Sequence, residues 1–114
     1  MADSVIYIDF EEGVKRVMNN AKLYVKLLVK FKDDHSMNDL DSAMAAEDMG
    51  KAKAAAHTLK GLAANLSLTE LWKQSLELET QIKSSSVNPN QITTLKNVYN
   101  QTLTEMDKVI AQHG

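Results

Sequence analysis

The 114-residue chain has no cysteine, one proline, four glycines and only 5% aromatic residues. Without cysteine it can have neither a disulfide framework nor a Cys-based metal site. So little proline and glycine, beside plentiful Ala, Leu, Lys, Glu and Met, points to an all-helical fold. Lysines interrupt the longest apolar stretches, so nothing reads as a membrane span. Residues Met1-Ala2-Asp3-Ser4 lack a basic region followed by an apolar run, so no signal peptide is read there. An excess of one charge is missing too: 13 Lys and Arg stand against 15 Asp and Glu, a net charge of −2. That balance gives no reason to expect nucleic acid or an anionic membrane as partner. There is no repeat or low-complexity segment. What is present, 44% hydrophobic and 25% charged residues, is the make-up of an ordinary globular protein. The length suits one domain, residues 1–114. A cytoplasmic location is the expectation, with which the absence of cysteine is compatible.

The hydrophobic spacing predicts helices along the whole chain. Asp9, with Glu12 three residues on, has the spacing of a capping box before a short helix that turns Phe10, Val14 and Val17 inward. Asn19-Asn20 marks a break. Leu23, Tyr24, Leu27, Leu28 and Phe31 then form a strong helical stripe that should end near Asp33 or Asp34. Ser36 is a candidate cap for a short helix bearing Leu40, Ala43 and Met44. Asp48 is the next N-cap, for a helix running to about Asn65 or Leu66. Ser67 and Glu70 repeat the capping-box spacing. The helix after them should bury Leu68, Leu71, Trp72, Ser75, Leu76 and Ile82, with Leu78 partly inside. Asn88, Pro89 and Gln91 are each favourable at the start of the last helix, which should bury Ile92, Leu95, Tyr99, Leu103, Met106 and Ile110. Four helices of roughly 15 to 22 residues with short connections predict an antiparallel up-down four-helix bundle, with one or two short additional helices at the N-terminal side. Every strong apolar stripe is needed for the bundle itself, so a monomer is expected.

The stretch Ala54-Ala55-Ala56-His57-Thr58-Leu59-Lys60-Gly61-Leu62-Ala63-Ala64 stands out. At about 100° per residue, Leu59, Leu62 and Leu66 fall within about 40° of the side opposite His57, with Ala52, Ala55 and Ala63 spread around them. Ala54, Gly61, Ala64, Lys53 and Lys60 fall beside the histidine. Most exposed histidines do nothing. Here, however, the surrounding side chains are small, and a glycine inside a helix costs about 1 kcal/mol relative to alanine. That suggests something must approach closely. Lys53 and Lys60, at i−4 and i+3, can reach an anion attached to the imidazole.

Several chemistries fit poorly. Nucleophilic triads need a nucleophile and a carboxylate near the His, yet no acid lies on this face of the helix and Thr58 points about 100° away. A metal site needs further ligands, and the only other histidines, His35 and His113, sit in an expected loop and at the chain end. The cluster Asp33, Asp34, His35, Asp39 and Asp41 reads as a solvated loop. General acid–base work needs a pocket. A nucleophilic imidazole that takes a group and passes it on fits the pattern. A phosphoryl group is the natural cargo, since its transfer rests mainly on positioning and charge stabilisation. Nearby ammonium groups favour the neutral ring and offset the roughly −2 charge of a phosphoryl.

Ala56-His57-Thr58-Leu59-Lys60-Gly61 is similar to the motif of histidine-containing phosphotransfer (HPt) domains, His-x-Leu-Lys-Gly followed by small residues. The resemblance extends through Leu71 and Leu78-Glu79, and back to Ile8-Asp9 and the run Asn20, Leu23, Tyr24, Leu27, Leu28, Phe31. It covers about Ile8 to Ile110. It implies that His57 accepts a phosphoryl group from an aspartate of one response-regulator receiver domain and gives it to an aspartate of another. It also implies that Lys60 helps hold the charge, that Gly61 leaves space for docking, and that the domain has no kinase activity of its own. No cofactor is implied on this chain; magnesium is expected on the receiver. Receiver domains and a hybrid sensor histidine kinase are the implied partners. The Met1 start and complete domain favour a free-standing protein over a piece of such a kinase.

One position departs from the family pattern: Ser67 stands where a glycine commonly makes the turn after the His-bearing helix. If that turn needs a positive φ, serine costs on the order of 1 kcal/mol. The expectation is a slightly altered turn, with Ser67 capping the next helix or Asn65 sharing the role, and an intact site. The competing reading of the chain is a helical docking module that binds receivers or other proteins without carrying phosphate.

Overall fold

A computed structural model describes residues 5–113; the reading of residues 1–4 falls outside it. Six helices account for the secondary structure of the described residues, with no strand among them. They are α1 (Phe10–Arg16), α2 (Ala21–Phe31), α3 (Ser36–Ala45), α4 (Met49–Asn65), α5 (Thr69–Lys83) and α6 (Pro89–His113). The four main helices range more widely in length than the sequence suggested: α2 has 11 residues, α4 17, α5 15 and α6 25. Helix α4 packs between α3 and α5, α5 packs on α6, and α6 returns to α2. With 10 residues, α3 is more than an end cap, because it buries Met37, Leu40 and Ala43 against the shared core. Among the described residues, no helix is long and apolar enough to cross a membrane.

Most helix starts follow the sequence signals. The Asp9, Asn20 and Asp48 side chains accept from the backbone N–H groups of Glu12, Leu23 and Lys51. Each fills one of the orphan donors at a helix N-terminus. Two expectations need correction. Ser36 does not cap α3; it is the first helical residue, and its N–H donates to Asp34 Oδ2 at 2.8 Å, where a carboxylate is the stronger acceptor. Nor does Ser67 cap α5, whose N-cap position is Leu68 with no side-chain bond.

Ser67 instead takes the left-handed conformation, φ 56°, that the family's glycine would favour. The Leu68 N–H closes back on Ala63 O at 2.9 Å, finishing α4 in the manner of a Schellman turn. Asn65 remains within α4 and shares none of this. Ser67 is buried, and its hydroxyl donates to Glu12 Oε1 at 2.8 Å while its carbonyl accepts from Asp9 N–H at 2.9 Å. Glu12 therefore does not complete a capping box with Asp9. It ties α1 to the α4–α5 corner, which Glu70 N–H also reaches by donating to Ile6 O.

The front of the molecule is held by close approach. Gly13 is buried in α1, and a Cβ on it would lie 2.3 Å from the Tyr24 ring. The Tyr24 hydroxyl donates to Leu66 O, and the Phe10 ring meets it edge-on at 5.7 Å. Burial pushes the Tyr24 hydroxyl's pKa well above its ordinary value, with Asp9 and Glu12 adding to the effect. The α1–α2 turn places Met18 and Asn19 both at positive φ, 58° and 62°. On α2 the buried residues are Tyr24, Val25, Leu28 and Phe31; Leu23, expected in the stripe, is exposed.

Candidate functional site

The site is built by α4 and α5. Helix α4 is rich in alanine, the best helix former, and small enough along its sides for neighbours on both flanks. Its buried residues are Ala52, Ala56, Leu59 and Ala63, with Leu66 at its end. The inward direction is therefore rolled by about 40° from the expected one, toward α5. Ala56 is fully buried, while Ala55 and Leu62, expected inside, lie half-buried at the edge. Leu59, also fully buried, anchors the helix with on the order of 2 kcal/mol of apolar burial.

This roll sets His57 at the α5 side of the exposed face. Its side chain is 68% exposed, yet Nδ1 lies 2.9 Å from Oε2 of Glu79 on α5. Glu79 is only 3% exposed. A second α4 residue converges there: Lys60 Nζ donates to Glu79 Oε1 at 2.7 Å. Lys83, one turn after Glu79 on α5, approaches Oε2 at 3.8 Å. Burial disfavours charge on Glu79, but hydrogen bonds from Lys60 and His57 and the charges of Lys60 and Lys83 outweigh it, so its pKa falls below the usual carboxylate value. It is thus an ionised, acceptor-only partner, and the imidazole meets it with Nδ1–H as donor. In the neutral ring this arrangement leaves the lone pair on Nε2, the nitrogen not engaged by Glu79, on a side chain that is largely exposed.

The other expected site residues fall around this centre. Lys53 is exposed on the same helix and makes no ion pair among the described residues. Ala54 is exposed and lines a shallow groove between α3 and α4 together with Thr58, Ser42 and Ala46. Ala64 is half-buried and borders a different depression, shared with Ile6, Ser67 and Trp72. Gly61 is exposed, and a Cβ there would meet nothing within 4 Å. Internal packing therefore gives no reason for glycine at this position.

Glu79 was the residue missed as a partner of His57. The face of α4 itself holds no acid, as read; the acid arrives from the neighbouring helix. A signal was available. Position 79 lies four residues after Ser75 and three before Ile82, inside the stripe that α5 buries, where a charged residue needs a partner. The same reading of α5 placed Trp72 and Leu76 inside, whereas each is more than a third exposed, and Leu78, expected only partly inside, is fully buried.

A search of curated proteins and a search of solved structures returned no match. The family model of the Hpt domain matches residues 27–108, a span that takes in His57, Lys60, Gly61, Glu79 and Lys83. The chain therefore belongs to the Hpt domain family, the histidine phosphotransfer proteins that work with receiver domains in two-component phosphorelays.

Proposed function

We propose that His57 is the phosphoryl-carrying residue of a phosphorelay intermediate. The observation that carries this reading is an exposed imidazole whose inner nitrogen is held by a buried carboxylate. In the forward step, the Nε2 lone pair attacks the phosphorus of an aspartyl phosphate on a receiver domain. The N–P bond forms, the P–O bond to the aspartyl carboxylate breaks, and that carboxylate leaves with the electron pair. No proton has to leave Nε2. The ring, substituted on Nε2 and still protonated on Nδ1, becomes cationic, and Glu79 lies where it offsets that charge. Attack by a second receiver's aspartate reverses the bonds and passes the phosphoryl group on. Magnesium belongs to the receiver, and the chain needs no cofactor of its own.

In this reading Lys60 acts mainly by fixing Glu79, since its ammonium lies on Oε1. Lys53 is the open cation on the histidine's own helix. Ala54, Gly61 and Ala64 keep the surface low for a docking receiver. The accompanying architecture is an antiparallel up-down arrangement of α2, α4, α5 and α6, with α1 and α3 as additions. The short connection over residues 66–68 supports a reversal between α4 and α5. We take the chain as one monomeric, cytoplasmic domain that serves receivers and a hybrid sensor kinase and has no kinase activity of its own.

The test is transfer. Incubation with a phosphorylated receiver and magnesium should leave an acid-labile, alkali-stable label on this chain. His57→Gln should abolish it with helicity and melting unchanged. Absence of label on the wild-type protein from several receivers, or equal labelling of the variant, defeats the reading.

A further inference from the structure

Two ammonium groups converge on the single carboxylate of Glu79, and they are not equivalent. Lys60 holds Oε1 at 2.7 Å, and its side chain is only 23% exposed. Lys83 approaches Oε2 at 3.8 Å, and its side chain is 56% exposed. One negative charge neutralises one of the two cations, so a surplus positive charge remains in the cluster. The short, half-buried contact belongs to Lys60. The long, loose one belongs to Lys83, whose own side chain is more than half exposed and whose 3.8 Å separation lies beyond hydrogen-bond reach, so it is the cation freer to move.

The atom that Lys83 approaches is the same Oε2 that holds His57 Nδ1. Lys83 and the imidazole therefore share one carboxylate oxygen, Lys83 coming to it from α5 and His57 from α4. A phosphoryl group on Nε2 brings a charge of about −2 to this place. Lys60 cannot serve it without abandoning a carboxylate that is 3% exposed, which would leave a buried charge short of a partner. Lys83 can leave, because Oε2 keeps its bond from Nδ1–H.

Resting on the assignment of His57 as the phosphoryl carrier, we propose that Lys83 is the cation that closes on the phosphoryl group of phospho-His57, exchanging its loose contact with Glu79 for the phosphoryl oxygens. Lys60 then remains as the fixed clamp on the carboxylate. The charged groups around His57 are thus Lys53, exposed one turn earlier on α4, Lys83 from α5, and Glu79 with Lys60 held on its Oε1.

The experiment loads His57 from phosphoramidate, a small donor that needs no receiver, and follows the pH titration of the phosphohistidine 31P resonance. Lys83→Ala should raise the apparent pKa of the phosphoryl group by roughly half a unit at low salt. Lys83→Arg should restore the wild-type curve, and the difference should shrink in high salt. Superimposable wild-type and Lys83→Ala curves overturn the proposal, as does a shift that Lys83→Arg leaves in place. Lys83 also lies in the last turn of α5, where a cation favours the helix end. If that is its only role, Lys83→Ala lowers the melting temperature slightly and leaves the titration unmoved. Failure of the wild-type protein to take label from phosphorylated receivers, while phosphoramidate still loads it, sinks the relay function and leaves the Lys83 result to be read by itself. A wild-type protein that neither donor loads defeats both.

Discussion

His57 Nδ1 and Glu79 Oε2 stand 2.9 Å apart, joining a largely exposed imidazole to a carboxylate that is almost wholly buried. The contact has a consequence for stability as well as for chemistry. The folded protein holds the Glu79 pKa below its usual 4.5. A carboxyl group with a depressed folded pKa contributes stability that is fully present above its unfolded value and is lost as pH falls through the folded one. Glu79→Gln should therefore be less stable than the wild type near neutrality. The gap between their melting temperatures should narrow as pH drops below about 4.5. Melting curves collected from pH 7 to pH 3 test this, and a gap that stays constant would show that Glu79 contributes no linked stability.

Gly61 should behave as an internal weakness of α4 that serves no packing purpose. With open space where its Cβ would be, Gly61→Ala should stabilise the protein by about 1 kcal/mol, raising the melting temperature by about 4 °C. A bulkier Gly61→Gln should keep the fold and slow phosphoryl exchange with a receiver. Transfer at the wild-type rate would mean that receivers do not approach this side of His57.

Gly13 is the opposite case. Its missing side chain is filled by the Tyr24 ring, and the ring is itself held by Phe10 and by the bond to Leu66 O. Although alanine is the better helix former, Gly13→Ala should destabilise by about 1–3 kcal/mol through overpacking. Denaturant unfolding would register this as a lower midpoint with an unchanged slope.

Ser67 separates two contributions of opposite sign. Ser67→Gly relieves the left-handed backbone but gives up the bond to Glu12. The two terms are each about 1 kcal/mol, so the net change should be small. Ser67→Ala keeps the backbone cost and loses the hydrogen bond, so it should destabilise by about 1 kcal/mol. Equal stability of the two variants would show that the hydroxyl, rather than the backbone, governs this turn.

The elements of the fold were readable because their ends are marked by short-range chemistry, such as Asp9, Asn20 and Asp48 at N-caps and Pro89 opening α6. The roll of α4 was not. Alanines on several sides of that helix give little preference, and contact with α3 and α5 decides between Ala56 and Leu62. Thr102 was overlooked because a count of apolar positions ignores a hydroxyl that satisfies itself. It is fully buried, with Oγ1 donating to Val98 O at 2.7 Å. Of the six apolar residues expected inside α6, Leu95 and Met106 are fully buried, while Ile92, Tyr99, Leu103 and Ile110 lie at its edges. His57 announced itself by the bareness around it. Glu79 required knowing which helix lies beside α4, a long-range fact that periodicity does not contain.

The bond from Ser67 to Glu12 spans 55 residues of chain. Its acceptor lies on a seven-residue helix, too short to be stable alone. That helix has nowhere to dock until α4 and α5 have met and formed their corner. Contacts so distant in sequence bear the entropy of loop closure before any return, and so form late. Helix α1 should thus be the last of the six to settle. Mutations in α1 should mainly speed unfolding, with little effect on the rate of folding.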